Sequence, residues 1–210
     1  MTAKSKRKQE TIQFLSPLGI ARFPKISNPD VGGEYSDGKF KTGIVFEGAA
    51  LEKVREAQAA AAKKLWPGKA LTELALPVRE FFDKDRENAG AKISAGYGFN
   101  AKSKLRPAIF DARRQPLPDG VKIGGGTEMR IGAAFSPYTS TEKVRTKHAD
   151  GSMTVEEVVV NGINVYLNSV QVKTLRQGGG ISDGSEFDEI EGGYEYEAPS
   201  DAPISDATNL

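Results

Sequence analysis

Apolar and polar residues alternate with a period of two along most of this chain up to Leu175, the pattern of strands buried on one face only. From Ile12 the even positions Phe14, Leu18 and Ile20 are apolar. Between Lys39 and Glu47, Phe40, Ile44 and Phe46 point one way and Lys39 and Lys41 the other. The clearest alternation runs from Thr127 to Phe135, with Met129, Ile131, Ala133 and Phe135 inward and Glu128, Arg130 and Gly132 outward. In the last strand the apolar phase changes, from odd at Ile163, Val165 and Leu167 to even at Val170 and Val172. That slip at Asn168-Ser169 predicts a β-bulge, which bends a long strand so that it serves both sides of a small barrel. Asn161-Gly162, between Val155–Val160 and Ile163 onward, carries the signal of a tight hairpin turn.

One helical period interrupts the strands. Over Ala49–Leu65, Leu51, Val54, Ala61 and Leu65 share a stripe, the alanines favour helix, and Trp66-Pro67-Gly68 stops it. The segment from Lys69 to Asn88, with Leu71, Leu74, Leu76, Phe81 and Phe82, is too apolar for a free linker. It reads as short irregular pieces covering an open end of the sheet. The fold class that follows is mainly β: an OB-fold-like five-stranded Greek-key barrel with an inserted α-helix, in preference to a sandwich.

Charge changes the picture. Of 28 acidic residues in the 210-residue chain, nine fall in 181–210 (Asp183, Glu186, Asp188, Glu189, Glu191, Glu195, Glu197, Asp201, Asp206), where there is no lysine or arginine. Residues 1–180 then hold 29 basic groups against 19 acidic ones, so the net +1 joins a body of +10 to a tail of −9. A basic body attracts polyanions, and an acidic segment without apolar periodicity stays solvated and disordered. Phe187, Ile190, Tyr194 and Tyr196 among the acids suit docking to a basic groove. The organisation expected is a basic arm over 1–10, a barrel domain over 11–178 and a flexible acidic tail over 179–210.

Enzyme chemistry finds little support. The absence of cysteine removes thiolate catalysis and cysteine metal sites, and the one histidine, His148, has no second imidazole to share a metal. Gly124-Gly125-Gly126 and Gly178-Gly179-Gly180 lack the Lys-Ser or Lys-Thr of a phosphate loop. Glu80, Asp83, Asp85 and Glu87 alternate with Arg79, Lys84 and Arg86, which reads as a self-paired surface. No cofactor and no metal are expected. With no apolar stretch of membrane length and no secretory signal, the expectation is a soluble protein of the cytoplasm with no membrane partner.

Single-strand binders combine a cationic groove with exposed rings, because every base offers a π-face. Lys92–Arg106 supplies both, with Tyr97 and Phe99 spaced by Gly96 and Gly98 and followed by Lys102, Lys104 and Arg106. Tyr97 and Phe99 also share parity with Ile93 and Ala95, so a core role stays open. A second group is Arg130, then Ser136-Pro137-Tyr138, then a loop with Lys143, Arg145, Lys147 and His148.

Ile123-Gly-Gly-Gly-Thr-Glu-Met-Arg-Ile-Gly-Ala-Ala-Phe-Ser-Pro-Tyr138, then Gly162-Ile-Asn-Val-Tyr-Leu-Asn-Ser-Val-Gln-Val-Lys-Thr-Leu175, Gly178-Gly-Gly180 and the acidic tail resemble the replication single-stranded-DNA-binding proteins of tailed bacteriophages. The resemblance implies an OB-fold with a helix after the early strands, and DNA contacts at Tyr138, Arg130 and the Tyr97, Phe99 region. It also implies partners: single-stranded DNA and, through the tail, the phage DNA polymerase and helicase/primase, with a homodimer left open. Thr139–Val160 is longer than the family's loop, so Lys143 and Arg145 are candidates for an additional DNA flap. The expected function is sequence-tolerant protection of single strands in replication and recombination. The alternatives are a virion or assembly protein on a barrel scaffold, and a metal-dependent nuclease using Glu80, Asp83, Asp85 and Asp111.

Overall fold

The computed structural model describes residues 10–34, 36–84, 91–147 and 153–177. The expected arm (apart from Glu10), the tail over 179–210, Asp85, Glu87 and His148 lie outside them. Among the described residues nine strands and one α-helix follow in order. They are β1 (Ile12–Leu15), β2 (Gly19–Lys25), β3 (Phe40–Phe46), α1 (Gly48–Leu65), β4 (Leu74–Ala75), β5 (Arg79–Lys84), β6 (Lys92–Ser103), β7 (Ala108–Phe110), β8 (Glu128–Lys147) and β9 (Met153–Thr174).

Five strands close a ring. β2 pairs with β3 and β3 with β6, all antiparallel; β6 lies parallel to β9, β9 antiparallel to β8, and β8 returns to β2. A meander of three strands followed by two that reverse their order is a Greek key, and the closed ring is an OB-fold-like barrel. The helix enters between the second and third barrel strands, as its sequence position indicated. β1, β4, β5 and β7 are additional, pairing with β8, β9, β6 and β9 respectively.

The inward alternation of β8 fills the barrel: Met129, Ile131, Ala133 and Phe135 are all buried, with Ile44, Phe46, Phe99, Val165, Leu167 and Val170 around them. Phe14, half-buried, sits 4.8 Å from the Phe135 ring and 6.2 Å from Phe99, and Phe46 lies 5.4 Å from Phe99. Such ring pairs add about 0.5–1.5 kcal/mol each to their burial. On α1, Val54, Ala61 and Ala62 face this core, while the buried Gln58 accepts a hydrogen bond from the Val78 amide at 3.1 Å.

The bulge falls where the phase slipped. Gly132 pairs with Ser169 and Ala133 with Leu167, leaving Asn168 as the extra residue. Before it β9 meets β6 and after it β7, so the bend passes the strand from one neighbour to the next.

Three expectations need correction. Leu18 and Ile20 are exposed, because Ser16-Pro17 breaks the early strand and Ala21 takes the inward place. Ser16 covers the break, its Oγ accepting from the Ile131 amide and its own amide donating to the Ile131 carbonyl, both at 2.9 Å. Asn161-Gly162 makes no turn: β9 runs straight through it, Gly162 opposite Tyr138. A Cβ there would come within 2.6 Å of the Tyr138 ring and 2.7 Å of the Ala75 carbonyl, so this glycine permits close approach. Lys69–Asn88 includes two strands, β4 and β5; Leu71, Leu74 and Leu76 do pack on the core as a cover, but Phe81 and Phe82 do not, and Phe82 is exposed.

Candidate nucleic-acid interface

The outer face of β2, β3, β6 and β9, closed on one side by β4 and β5, forms an open groove of about 570 Å³. Its floor needs Gly43, where an added Cβ would meet the Asn100 amide oxygen at 3.1 Å and Arg22 Cβ at 3.3 Å. Four cations (Arg22, Lys41, Arg79, Lys102), one carboxylate (Asp37) and three rings (Phe23, Phe81, Tyr138) line it.

These cations differ in how free they are. Lys41 lies 2.6 Å from Asp30 and 3.5 Å from Asp37. The hydrogen bond to Asp30 comes first among the causes that hold its ammonium above the ordinary lysine value. Burial pushes the Asp37 carboxyl up, but Lys41 and Lys39 outweigh it and leave it below the usual carboxylate range. Arg22, its side chain 15% exposed, is gripped by both oxygens of Asp83. Lys102 and Arg79 face no carboxylate within ion-pair distance among the described residues. Both are exposed, and they are the cations free to meet a phosphate.

The structure sorts the residues expected from sequence. Lys102 and Tyr138 meet in the groove. Phe99 does not: it is 0% exposed, paired with Ile44 in the barrel core, and is corrected to a core residue. Tyr97, 39% exposed, lies opposite Phe46 at the helix end of the barrel, with the Arg55 guanidinium 5.3 Å over its ring. Lys104 and Arg106 leave β6 for the connection to β7, where Arg106 bonds Asp119 at 2.7 Å. Arg130 points away from the groove, donating from Nε to Gln171 Oε1 at 2.7 Å, beside Leu18 and Lys173.

The expected loop is instead a two-stranded ribbon, Thr139↔Asn161 to Lys147↔Met153. Lys143 and Arg145 have the opposite parity to Tyr138, so they lie on the other face of the strand, and Lys143 has Glu157 at 3.6 Å. Of the carboxylates of the nuclease alternative, Asp85 lies outside the described residues, and Asp83 and Asp111 are each engaged with other partners. Asp83 holds Arg22, and Asp111 accepts from the amides of Arg113 and Gln115 at 2.8 and 2.7 Å. Among the described residues no three metal-ligating side chains gather.

Sequence reasoning missed Arg22, Phe23, Arg79 and Phe81. The signal was present: Arg22-Phe23-Pro24-Lys25 sets a ring between cations, and Arg79 and Phe81 are two apart on one strand face.

No family model matches this sequence, and no curated protein does. Solved structures do resemble it. Its chain is similar to gp2.5, a single-stranded DNA binding protein encoded by bacteriophage T7, at 20% identity and TM-score 0.46, covering 90% of this chain and 100% of that one. It is also similar to the single-stranded DNA-binding protein from bacteriophage Enc34. The C-terminally truncated form gives 14% identity and TM-score 0.45 over 85% of this chain and 99% of that one. The complex with ssDNA gives 15% and 0.46 over 80% and 89%. At these TM-scores the likeness assigns no residue a role.

Proposed function

We propose that this chain binds single-stranded DNA without sequence preference along the groove of β2, β3, β6 and β9. The observation that carries the reading is the meeting there of unpaired cations, Lys102 and Arg79, with the rings of Phe23, Phe81 and Tyr138. Cations release counterions from the phosphate backbone, and rings stack on bases only where the bases are not already stacked in a duplex. The groove lies on the second and third barrel strands, the face with which OB-folds hold oligonucleotides. A duplex reader needs a basic helix for the major groove. Here α1 buries one face on the barrel and mixes Glu52 and Glu56 with Lys53 and Arg55 on its exposed side.

In this reading the protein coats and protects template during phage replication and recombination in the host cytoplasm. Its acidic tail recruits polymerase and helicase/primase, and the protein itself performs no chemistry. The charge separation between residues 1–180 and 181–210 supports the part given to the tail.

The test is fluorescence anisotropy with one labelled oligonucleotide, single-stranded and then annealed, over a series of salt concentrations. Tight single-strand and weak duplex binding is expected. Lys102→Ala and Arg79→Ala should each flatten the salt dependence by about 0.7, and Arg130→Ala should leave it unchanged. Duplex bound as tightly as single strand at equal salt would overturn the reading.

A further inference from the structure

Phe23 stands at the groove mouth 76% exposed, with φ of 45°. A residue bearing a Cβ adopts that conformation only against a steric cost, and the proline that follows narrows the backbone further. The cause is local: Arg22 pairs with Gly43 and Lys25 with Lys41, so Phe23 and Pro24 stand opposite Thr42 alone and β2 bulges. A largely exposed phenyl contributes little burial to offset this. Strain that folding does not require is the mark of a position kept for function.

A second, independent observation concerns what the ring touches. The Arg22 guanidinium lies 5.3 Å from the Phe23 ring and 5.7 Å from the Phe81 ring, and the Arg79 guanidinium lies 5.7 Å from Phe81. The four side chains form a ladder of alternating ring and cation, pinned at Arg22 by Asp83. Arg22 is thereby committed inward, its Nε without a hydrogen-bond partner among the described residues.

We infer that Phe23 is a nucleobase-stacking platform, presented by the bulge and held by Arg22, which acts as a positioning residue and not as a phosphate contact. The inference rests on the single-strand reading above and gives one of its three rings a particular role and a means of presentation. A ring already held against its cation loses little freedom when a base stacks on it, so more of the stacking energy appears as affinity.

The experiment compares Phe23→Ala, Phe23→Gly and Phe23→Tyr with Lys102→Ala and Arg79→Ala, by anisotropy of a fluorescein-labelled oligothymidylate at low and high salt, with Tm measured beside it. Phe23→Ala and Phe23→Gly should each weaken binding by about 5- to 150-fold, equally at both salts, because a ring releases no counterions. Phe23→Tyr should restore it. Phe23→Gly should keep or raise Tm by a few degrees while losing affinity, since glycine relieves the positive φ. If the alanine and glycine variants bind like the parent while Lys102→Ala and Arg79→Ala are weakened, Phe23 is no platform and the groove reading stands. Parental affinity in all five removes the groove reading and this inference with it. A large fall in Tm for Phe23→Gly marks the ring as a packing residue and likewise overturns the inference.

Discussion

Phe99 and Tyr138 are both rings on barrel strands, yet removing them should have opposite consequences. Phe99 is wholly buried against Phe14 and Phe46, so Phe99→Ala should cost about 3–5 kcal/mol of stability. The molecules that remain folded should bind single strands as before. Tyr138 is half-buried in the groove over Gly162, and Tyr138→Ala should cost about 1–3 kcal/mol of binding instead. Urea unfolding and anisotropy on both variants separate the two roles. In sequence the Tyr-Gly-Phe run left Phe99 open between the two, because its parity matches apolar neighbours. Only the pairing Ile44↔Phe99 fixes it inward. Tyr138 entered as a DNA contact only through the family resemblance; the structure shows it at the point where β8 leaves the core, lining the groove. Gly98 shows what a sequence hides: a Cβ there would meet the Ile44 carbonyl oxygen at 1.9 Å, so the residue is needed for β3 and β6 to approach.

Among elements, α1 and the Asn168 bulge were legible because each is written as a period or a break in one. The ribbon of β8 and β9 was not, since exposed positions such as Val155, Val158 and Val159 carry no burial pattern, and Asn161-Gly162 offered a competing turn signal. β5 was hidden by its charges: Arg79 and Asp83 read as a solvated surface, yet they flank the groove. Where β8 begins and β9 ends, Lys173 bonds Glu128 at 2.8 Å and, ahead of the other causes, holds that carboxyl below its ordinary value of 4.5. A depressed carboxyl contributes stability that is present above its unfolded value and lost as pH falls through the folded one. Glu128→Gln should therefore lower Tm slightly at neutral pH, and the difference from the parent should vanish in acid. A difference that persists at the lowest pH would detach the effect from this ion pair. The pair is exposed, so the effect should also shrink with salt.

At the scale of the molecule, the Greek-key barrel could be read from strand number, helix position and one bent strand, whereas the groove could not, because it joins residues from β2, β3, β4, β5, β6, β8 and β9 that no local motif links. The charge division was legible from counting alone. Removing residues 181–210 changes the net charge from +1 to +10, so association with single strands should quicken and affinity rise at low salt, the gain fading as salt screens it. Equal affinities of full and shortened chains at low salt would show that the tail does not compete electrostatically with DNA. The barrel's own closure is uneven. β2 and β8 share two registered pairs, but β6 and β9 meet in register only at Lys102↔Tyr166. That single parallel step is the shortest ladder of the ring, a place where backbone amides should exchange with solvent early. Lys102 stands on it. An oligonucleotide lying along the groove crosses this step, and in holding Lys102 it would act as a staple, making the loaded barrel a harder object to open than the empty one.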